Sequence, residues 1–314
     1  MMIDSAADRL LDPPAIHASA AGAGRVEWAT YQGPAGTRRY RIYLPAGYDP
    51  SHKAPLVLML HGCTQDPDDF ARGTRMDAVA DESGVLLVYP EQPATAQIQR
   101  CWTWYDPAQI ARDGGEAAVL AGIVGEVEAH HAVDARRVYV LGISAGGSMA
   151  VNLAAAYPEL FAGVVAHSGI AYHAALGVPQ ALGAMQGNGL DAERLRGAAA
   201  QVLARGGFPP LLVIHGNADP VVRPANGHAL ARQWADARGL TAGAESAETA
   251  GGLAFQRQRF TDAGGHVLVE TLFVDGLGHA WSGGSAEGTY TSAAGPDASR
   301  EAMRFLLAHR RGRR

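Results

Sequence analysis

Gly142-Ile143-Ser144-Ala145-Gly146 sets a serine between two glycines, and a serine held in such a turn could act as a nucleophile. Its hydroxyl attacks poorly until a base removes the proton, and that base needs an acid to fix its tautomer and support its positive charge. Both partners follow in the chain. Asp219 stands just after the apolar run 211–215, and His279 just after the run 267–274. Asp275 also ends the second run and is the alternative acid, although it precedes the base so closely that it would have to loop back. Among the twelve histidines, His61, His167 and His215 each close an apolar run and read as structural residues. His279 is last in order, and Gly276 and Gly278 free its loop to project the ring.

Elements must hold these groups in place. Val138, Tyr139, Val140 and Leu141 run into the first glycine without polar alternation, as in a strand buried on both faces of a parallel sheet. Residues 149–156 then read as a helix that ends before Tyr157-Pro158. Strand, tight turn and helix make a nucleophile elbow, in which a strained serine projects from the carboxyl edge of the sheet. Without that context the pentapeptide could be a plain strand-to-helix loop. Further buried runs at 55–60, 85–89, 161–167, 210–215 and 267–274 alternate with helical patterns at 66–83, 115–131, 191–205, 224–238 and 297–309. Residues 26–31 and 39–44 flank Gly33-Pro-Ala-Gly36 as an edge hairpin, and 255–260 adds another strand. The alternation predicts an α/β fold with a mostly parallel central sheet and helices on both faces. Residues 23–314 read as one domain behind a loose, Ala-rich arm over 1–22. The 90–112 connection carries Cys101-Trp-Thr-Trp-Tyr105 and is long enough to suggest a function. The stretch 170–205 reads either as a partial lid over the serine or as surface helices.

Attack on a carbonyl would create an oxyanion, which needs donors already in place. The Ala145 N–H, next after the serine, is one expected donor. The turn His61-Gly62-Cys63 after the 55–60 run should supply the second, taken as the Cys63 N–H. The two cysteines, Cys63 and Cys101, are either bonded, which would tie this turn to the Trp102 and Trp104 segment, or two reduced, buried thiols. The sequence leaves both readings open.

With 314 residues and 47% hydrophobic content, the chain can bury a substantial core. A net charge of −5 and a pI near 6.2 supply no global field for nucleic acid or an anionic membrane. The basic end, Arg310-Arg311-Gly312-Arg313-Arg314, reads as a solvated terminus. No apolar stretch approaches the roughly 18 residues of a membrane span. The amino terminus lacks the basic-then-apolar pattern of an export signal, so the chain as given is expected in the cytoplasm. A secreted or periplasmic location is the alternative if a leader was removed.

A series of segments in order carries a family likeness: Leu60-His-Gly-Cys-Thr-Gln65, Tyr89-Pro-Glu91, Cys101-Trp-Thr-Trp104, Gly142-Ile-Ser-Ala-Gly-Gly-Ser-Met149, His215-Gly-Asn-Ala-Asp219 and Gly278-His-Ala-Trp-Ser-Gly-Gly284. Together they resemble the polyhydroxybutyrate (PHB) depolymerase family of α/β-hydrolase esterases, which includes feruloyl and acetylxylan esterases. The likeness runs from about Arg39 to about His309. It implies Ser144 as nucleophile, Asp219 as acid, His279 as base, and Cys63 with Ala145 as the oxyanion hole, in agreement with the residue-level reading. It also implies that Trp102, Trp104 and Trp281 line the acyl or polymer groove. Aromatic faces would suit apolar ester segments or phenolic rings there, and the other reading is that these tryptophans are buried packing. The secretion signal and separate polymer-surface-binding domain of extracellular relatives are not found in the sequence, so soluble oligomers or small esters suit it as well as crystalline polymer.

The expected activity is a serine esterase acting through an acyl-enzyme on 3-hydroxybutyrate oligomers or related short-chain polyesters, with no metal or organic cofactor. A feruloyl or acetylxylan-type carbohydrate esterase is the alternative among enzymes. Outside them stands a non-catalytic polymer- or carbohydrate-binding relative. No nucleic-acid or membrane partner is expected, and the oligomeric state is not legible.

Overall fold

Alternating side chains in β1 (Arg25–Gly33) and β2 (Gly36–Leu44) pair antiparallel up to Gly33 and Gly36, the expected hairpin. β3 (Ala54–Leu60) leads through α1 (Pro67–Thr74) and α2 (Met76–Ser83) to β4 (Leu86–Pro90). After α3 (Pro107–Ile110) and α4 (Gly115–His130), β5 (Val133–Ile143) carries the serine turn into α5 (Ala145–Ala156). β6 (Gly163–His167), α6 (Val178–Met185), α7 (Ala192–Leu203), β7 (Leu211–Gly216) and α8 (Ala225–Arg238) follow. The chain closes with β8 (Thr241–Ala242), β9 (Ser246–Ala250), β10 (Leu253–Thr261), β11 (Val267–Val274), the short β12 (Trp281–Ser282) and β13 (Thr291–Ser292), and α9 (Ala298–Leu307). This computed structural model describes residues 24–312. The arm expected over 1–22 lies outside the described residues.

The main sheet runs β1-β2-β4-β3-β5-β6-β7-β11-β10-β8, with β9 beside β10. Its centre, from β4 to β11, is parallel, and the pairs at both edges are antiparallel. Two buried faces explain the continuous apolar runs. In β3, Leu56, Leu58 and Leu60 join a core with Val138 and Val140 of β5 and Met149 of α5. Val57 and Met59 point the other way, towards Tyr139, Leu141, Phe70 of α1 and Phe305 of α9. Helices therefore cover both faces, as the alternation predicts. No helix among the described residues is long and apolar enough to cross a membrane.

The structure departs from the sequence reading at several elements. The single helix expected over 66–83 is two helices, broken at Arg75 in a left-handed conformation (φ 54°). The break frees the Gly73 carbonyl to accept the Ser285 N–H at 2.8 Å instead of a bond one helical turn on. The 90–112 connection is tightly tethered. Thr103 N–H and Oγ1 each donate to the buried Glu116 carboxylate at 2.7 Å, and Asn152 Nδ2 donates to the Trp104 carbonyl at 2.8 Å. β8 and β9 carry no apolar alternation and were not anticipated; they add on by pairing with β10. The basic end folds back where it is described: Arg310 reaches Asp134 at 3.0 Å, and the Arg311 N–H donates to the Arg136 carbonyl at 3.0 Å.

Candidate active site

Ser144 caps α5 from a left-handed backbone position, φ 57° and ψ −121°. That region is strained for a non-glycine residue, so its surroundings must enforce it. The Ser144 N–H donates to the His167 carbonyl at the end of β6 (2.9 Å), and the Ser144 carbonyl accepts from the Ser148 N–H (2.9 Å) and Oγ (3.0 Å). Both framing glycines are sterically required. A Cβ on Gly142 would stand 2.3 Å from the Gly146 carbonyl carbon, and one on Gly146 would stand 2.1 Å from the Leu60 oxygen. The helix thus begins directly at Ala145, ahead of the expected 149–156, and its first turn lies against the end of β3.

β7 and β11 are parallel neighbours with Gly216 opposite Val274, so the loops leaving their carboxyl ends lie side by side. The Asn217 N–H donates to the Val274 carbonyl (2.8 Å) and the Ala218 N–H to the Leu277 carbonyl (3.0 Å). This register brings together two residues 60 positions apart: His279 Nδ1 lies 2.7 Å from Asp219 Oδ2. The other carboxylate oxygen accepts the Val221 and Val222 N–H groups, each at 2.9 Å. Asp219 is fully buried. Burial pushes its carboxyl pKa up, but the His279 hydrogen bond and charge, the Val222 N–H and His215 outweigh it, and the carboxyl titrates below its ordinary value. A carboxylate on Nδ1 keeps that nitrogen protonated and leaves Nε2 able to take a proton. Asp275, the alternative acid, accepts instead from Asn217 Nδ2 at 2.7 Å on the exposed side of the loop.

The other strand-end histidines are packing groups. His61 Nδ1–H donates to the Gly62 carbonyl (2.8 Å), and its Nε2 accepts the Gln92 N–H (3.1 Å). His215 Nε2 bonds the Val222 carbonyl at 2.8 Å and lies 3.6 Å from Asp219 Oδ2. The His167 ring stacks on Trp281 with centroids 5.0 Å apart. All three are buried, and burial above all drives their pKa values down, to about 4 for His61 and His215 and about 3 for His167. They are neutral rings. His167 also adjoins the serine, since its carbonyl holds the Ser144 N–H. Among the described residues Ser144 Oγ has no hydrogen bond to the His279 ring. Such contacts often tighten only when substrate binds.

The turn after β3 abuts the elbow, since a Cβ on Gly62 would lie 3.7 Å from the Ile143 carbonyl oxygen. The Cys63 and Ala145 N–H groups therefore belong to adjoining turns, and neither donates to another group within the described residues. A disulfide joins Cys63 to Cys101, with the Cα atoms 4.2 Å apart, which decides between the two readings of the cysteines. Gln65 was not singled out for a role, yet its Oε1 accepts the Gly62 N–H (2.9 Å) and its Nε2 donates to the Thr289 carbonyl (3.0 Å). A lone amide in a turn carries no signal for a partner 224 positions away.

Of the two readings of these tryptophans, burial favours packing for Trp102 and Trp281, which are 0% and 1% exposed. Trp102 packs against His61 (centroids 5.6 Å), and Trp281 stacks on His167 while its Nε1 donates to Ser299 Oγ at 3.1 Å. The His167 ring stacks on one face of Trp281, while His61 lies tilted at 50° beside Trp102. Trp104, 7% exposed, is also largely enclosed.

The family model described as Esterase PHB depolymerase matches residues 38–256. The chain is 34% identical over 244 residues to poly(3-hydroxyalkanoate) depolymerase C of Paucimonas lemoignei, covering 76% of this chain and 57% of that protein. It therefore spans little more than half the length of that relative. With feruloyl esterase B of Thermothelomyces thermophilus the identity is 29% over 209 residues, covering 63% of this chain and 70% of that protein. Among solved structures, the acetyl xylan esterase from Aspergillus awamori superposes with a TM-score of 0.72 at 20% identity, over 90% of this chain and 99% of that one. That likeness is one of fold, and the fold is the α/β-hydrolase fold. Because the family match extends over most of the chain and runs through Ser144 and Asp219, the chain belongs to the esterase PHB depolymerase family.

Proposed function

We propose that the chain is a serine esterase that hydrolyses carboxylic esters through an acyl-enzyme, with 3-hydroxybutyrate oligomers or related short-chain polyesters as its substrates. The observation that carries this reading is the buried Asp219–His279 contact of 2.7 Å, on the same sheet edge as a serine strained at φ 57°. In this reading His279 Nε2 takes the Ser144 proton as Oγ attacks the ester carbonyl, and the Cys63 and Ala145 N–H groups receive the oxyanion. The bond to the alcohol oxygen then breaks, and His279 returns the proton to that oxygen, leaving the acyl group on Ser144. Water, deprotonated by His279, attacks the acyl-enzyme; the acid departs and Ser144 regains its proton. Asp219 stays ionised and offsets the imidazolium charge in both halves.

Residues 23–314 act as one catalytic unit in this reading, with 170–205 as a partial lid. The lid's attachment to the acid's loop supports that role: the Arg223 N–H donates to the Met185 carbonyl and Asn226 Nδ2 to the Ala184 carbonyl, both at 2.8 Å. The Cys63–Cys101 disulfide favours an oxidising compartment, and so a secreted or periplasmic site over the cytoplasm.

A feruloyl or acetylxylan-type esterase is the second reading, supported by the relative at 29% identity named feruloyl esterase B. Rates measured side by side on hydroxybutyrate oligomers, methyl ferulate and acetylated xylan separate the two. Ser144→Ala should abolish hydrolysis with the fold intact, and near-parental turnover in that variant overturns the nucleophile assignment. A folded parent protein that takes no fluorophosphonate label and hydrolyses nothing in the panel is instead a binding relative.

A further inference from the structure

We infer that Tyr290 is a specificity-determining residue on the alcohol side of the site, where its ring walls the space between the base and the oxyanion turn. The inference rests on the esterase reading above. Tyr290 immediately precedes β13, and the Trp281 N–H donates to its carbonyl at 2.7 Å, so the returning loop lays the residue beside the base. Its ring meets the His279 imidazole edge to face, with centroids 6.4 Å apart and planes at 73°. Its hydroxyl lies 3.1 Å from Thr64 Oγ1, on the residue next after Cys63. One side chain thus spans the proton carrier and the turn that offers the oxyanion donor.

Both ends of this span sit in strained backbone, Tyr290 at φ 52° and Thr64 at φ 66°. Residues other than glycine keep such conformations only where their surroundings compel them, and such strain gathers at functional sites. Here the compelling contacts are visible. The Thr64 N–H donates to the Gln99 carbonyl (2.6 Å), the Thr289 N–H to Asp69 Oδ1 (3.0 Å), and Gln65 Nε2 to the Thr289 carbonyl (3.0 Å). A tyrosine anchored only for packing would be enclosed, as Tyr89 and Tyr139 are at 0% exposure. Tyr290 is 46% exposed. A broad aromatic face that is rigidly held, open to solvent and in contact with the base is placed to touch substrate.

The mechanism decides which part of the substrate it touches. His279 hands its proton to the leaving oxygen, so the alcohol departs past the imidazole, while the acyl group stays on Ser144. A ring packed on the imidazole therefore borders the alcohol. It selects esters whose alcohol portion carries an apolar or aromatic face.

Two ester series test this in the intact protein. One keeps butyrate and varies the alcohol through methyl, benzyl and p-nitrophenyl; the other keeps p-nitrophenol and varies the acid through acetate, butyrate and hexanoate. Tyr290→Ala should lower the benzyl-to-methyl ratio of kcat/KM about tenfold and leave the ranking of the acyl series unchanged, and any change in deacylation should be the same for every butyrate, because the alcohol has already left. Tyr290→Phe keeps the ring and should keep the alcohol ranking; Tyr290→Leu gives the same information should the alanine variant unfold. A changed acyl ranking, or a uniform loss with the alcohol ratio intact, overturns the assignment. A parent that turns over none of these esters, and so behaves like Ser144→Ala, overturns the esterase reading itself and the inference with it.

Discussion

Replacing Asp219 by Asn removes a charge with almost no change in volume. Asp219 Oδ1 is held by the Val221 and Val222 N–H groups at 2.9 Å each, bonds that an amide oxygen can keep. The atom facing His279 Nδ1, now a carboxylate oxygen at 2.7 Å, becomes an NH2 group that can only donate. Nδ1 must then accept, and the ring proton moves to Nε2, the nitrogen that should receive the proton of Ser144. The imidazolium formed during attack also loses its counter-charge. At an effective dielectric constant near 20, two unit charges about 4 Å apart interact by about 4 kcal/mol. Since about 1.4 kcal/mol is tenfold in rate, Asp219→Asn should lower kcat about a thousandfold. Asp275→Asn changes only a carboxylate bonded to Asn217 on the exposed side of the loop, and should stay within about threefold of the parent. The assay is kcat on saturating p-nitrophenyl butyrate, with thermal melts to establish that each variant is folded. An Asp219→Asn enzyme within tenfold of the parent, or one less impaired than Asp275→Asn, would refute this account of the acid.

Stability should fall in mild acid. Unfolded, His61, His167 and His215 titrate near 6.5, whereas folded they take up protons only near 4, 3 and 4 respectively. Between about pH 6.5 and 4 the unfolded chain binds more protons, so this stability is complete above 6.5 and declines below it, by on the order of 1 kcal/mol per histidine per pH unit. Identical urea midpoints at pH 7.5 and 5 would contradict neutral burial. A Cβ at Gly146 would lie 2.1 Å from the Leu60 oxygen and 2.5 Å from the His61 oxygen, so Gly146→Ala must push α5 away from β3 and cost about 3 kcal/mol or more of unfolding free energy; a parental melting temperature would show slack in the elbow. The Cys63–Cys101 bond closes a separation of 38 residues, and Cys101→Ala should lower the guanidinium-derived unfolding free energy by about 2–4 kcal/mol. Mass analysis of alkylated, unreduced protein that finds two free thiols would dismiss the bond.

The legible features were those written in local pattern. Val138 to Leu141 read as a doubly buried strand because both of its faces meet apolar cores, and the turn after it needs Gly142 and Gly146 because a Cβ at either would collide with backbone. Asp219 and His279 stood out because each follows a buried run ending at the carboxyl edge of the sheet, and Asp275 ranked behind because it precedes His279 so closely that it would have to loop back. The residues that sequence reading missed or misplaced depend on contacts between distant segments. Arg75 takes a left-handed conformation between α1 and α2, where the Gly73 carbonyl goes to Ser285, and Trp102 and Trp281 are buried beside His61 and His167. Gln65 and Tyr290 matter only because a loop near residue 289 returns to the turn after β3.

The sequence by itself therefore carried the main alternation of strands and helices and the candidates Ser144, Asp219, Asp275 and His279, since periodicity and turn chemistry act over a few neighbouring residues. Only the tertiary structure decided that Asp219 rather than Asp275 meets the base, that Cys63 and Cys101 are bonded, and that an exposed tyrosine stands beside His279. Each of those depends on the register and packing of segments that the chain itself keeps far apart.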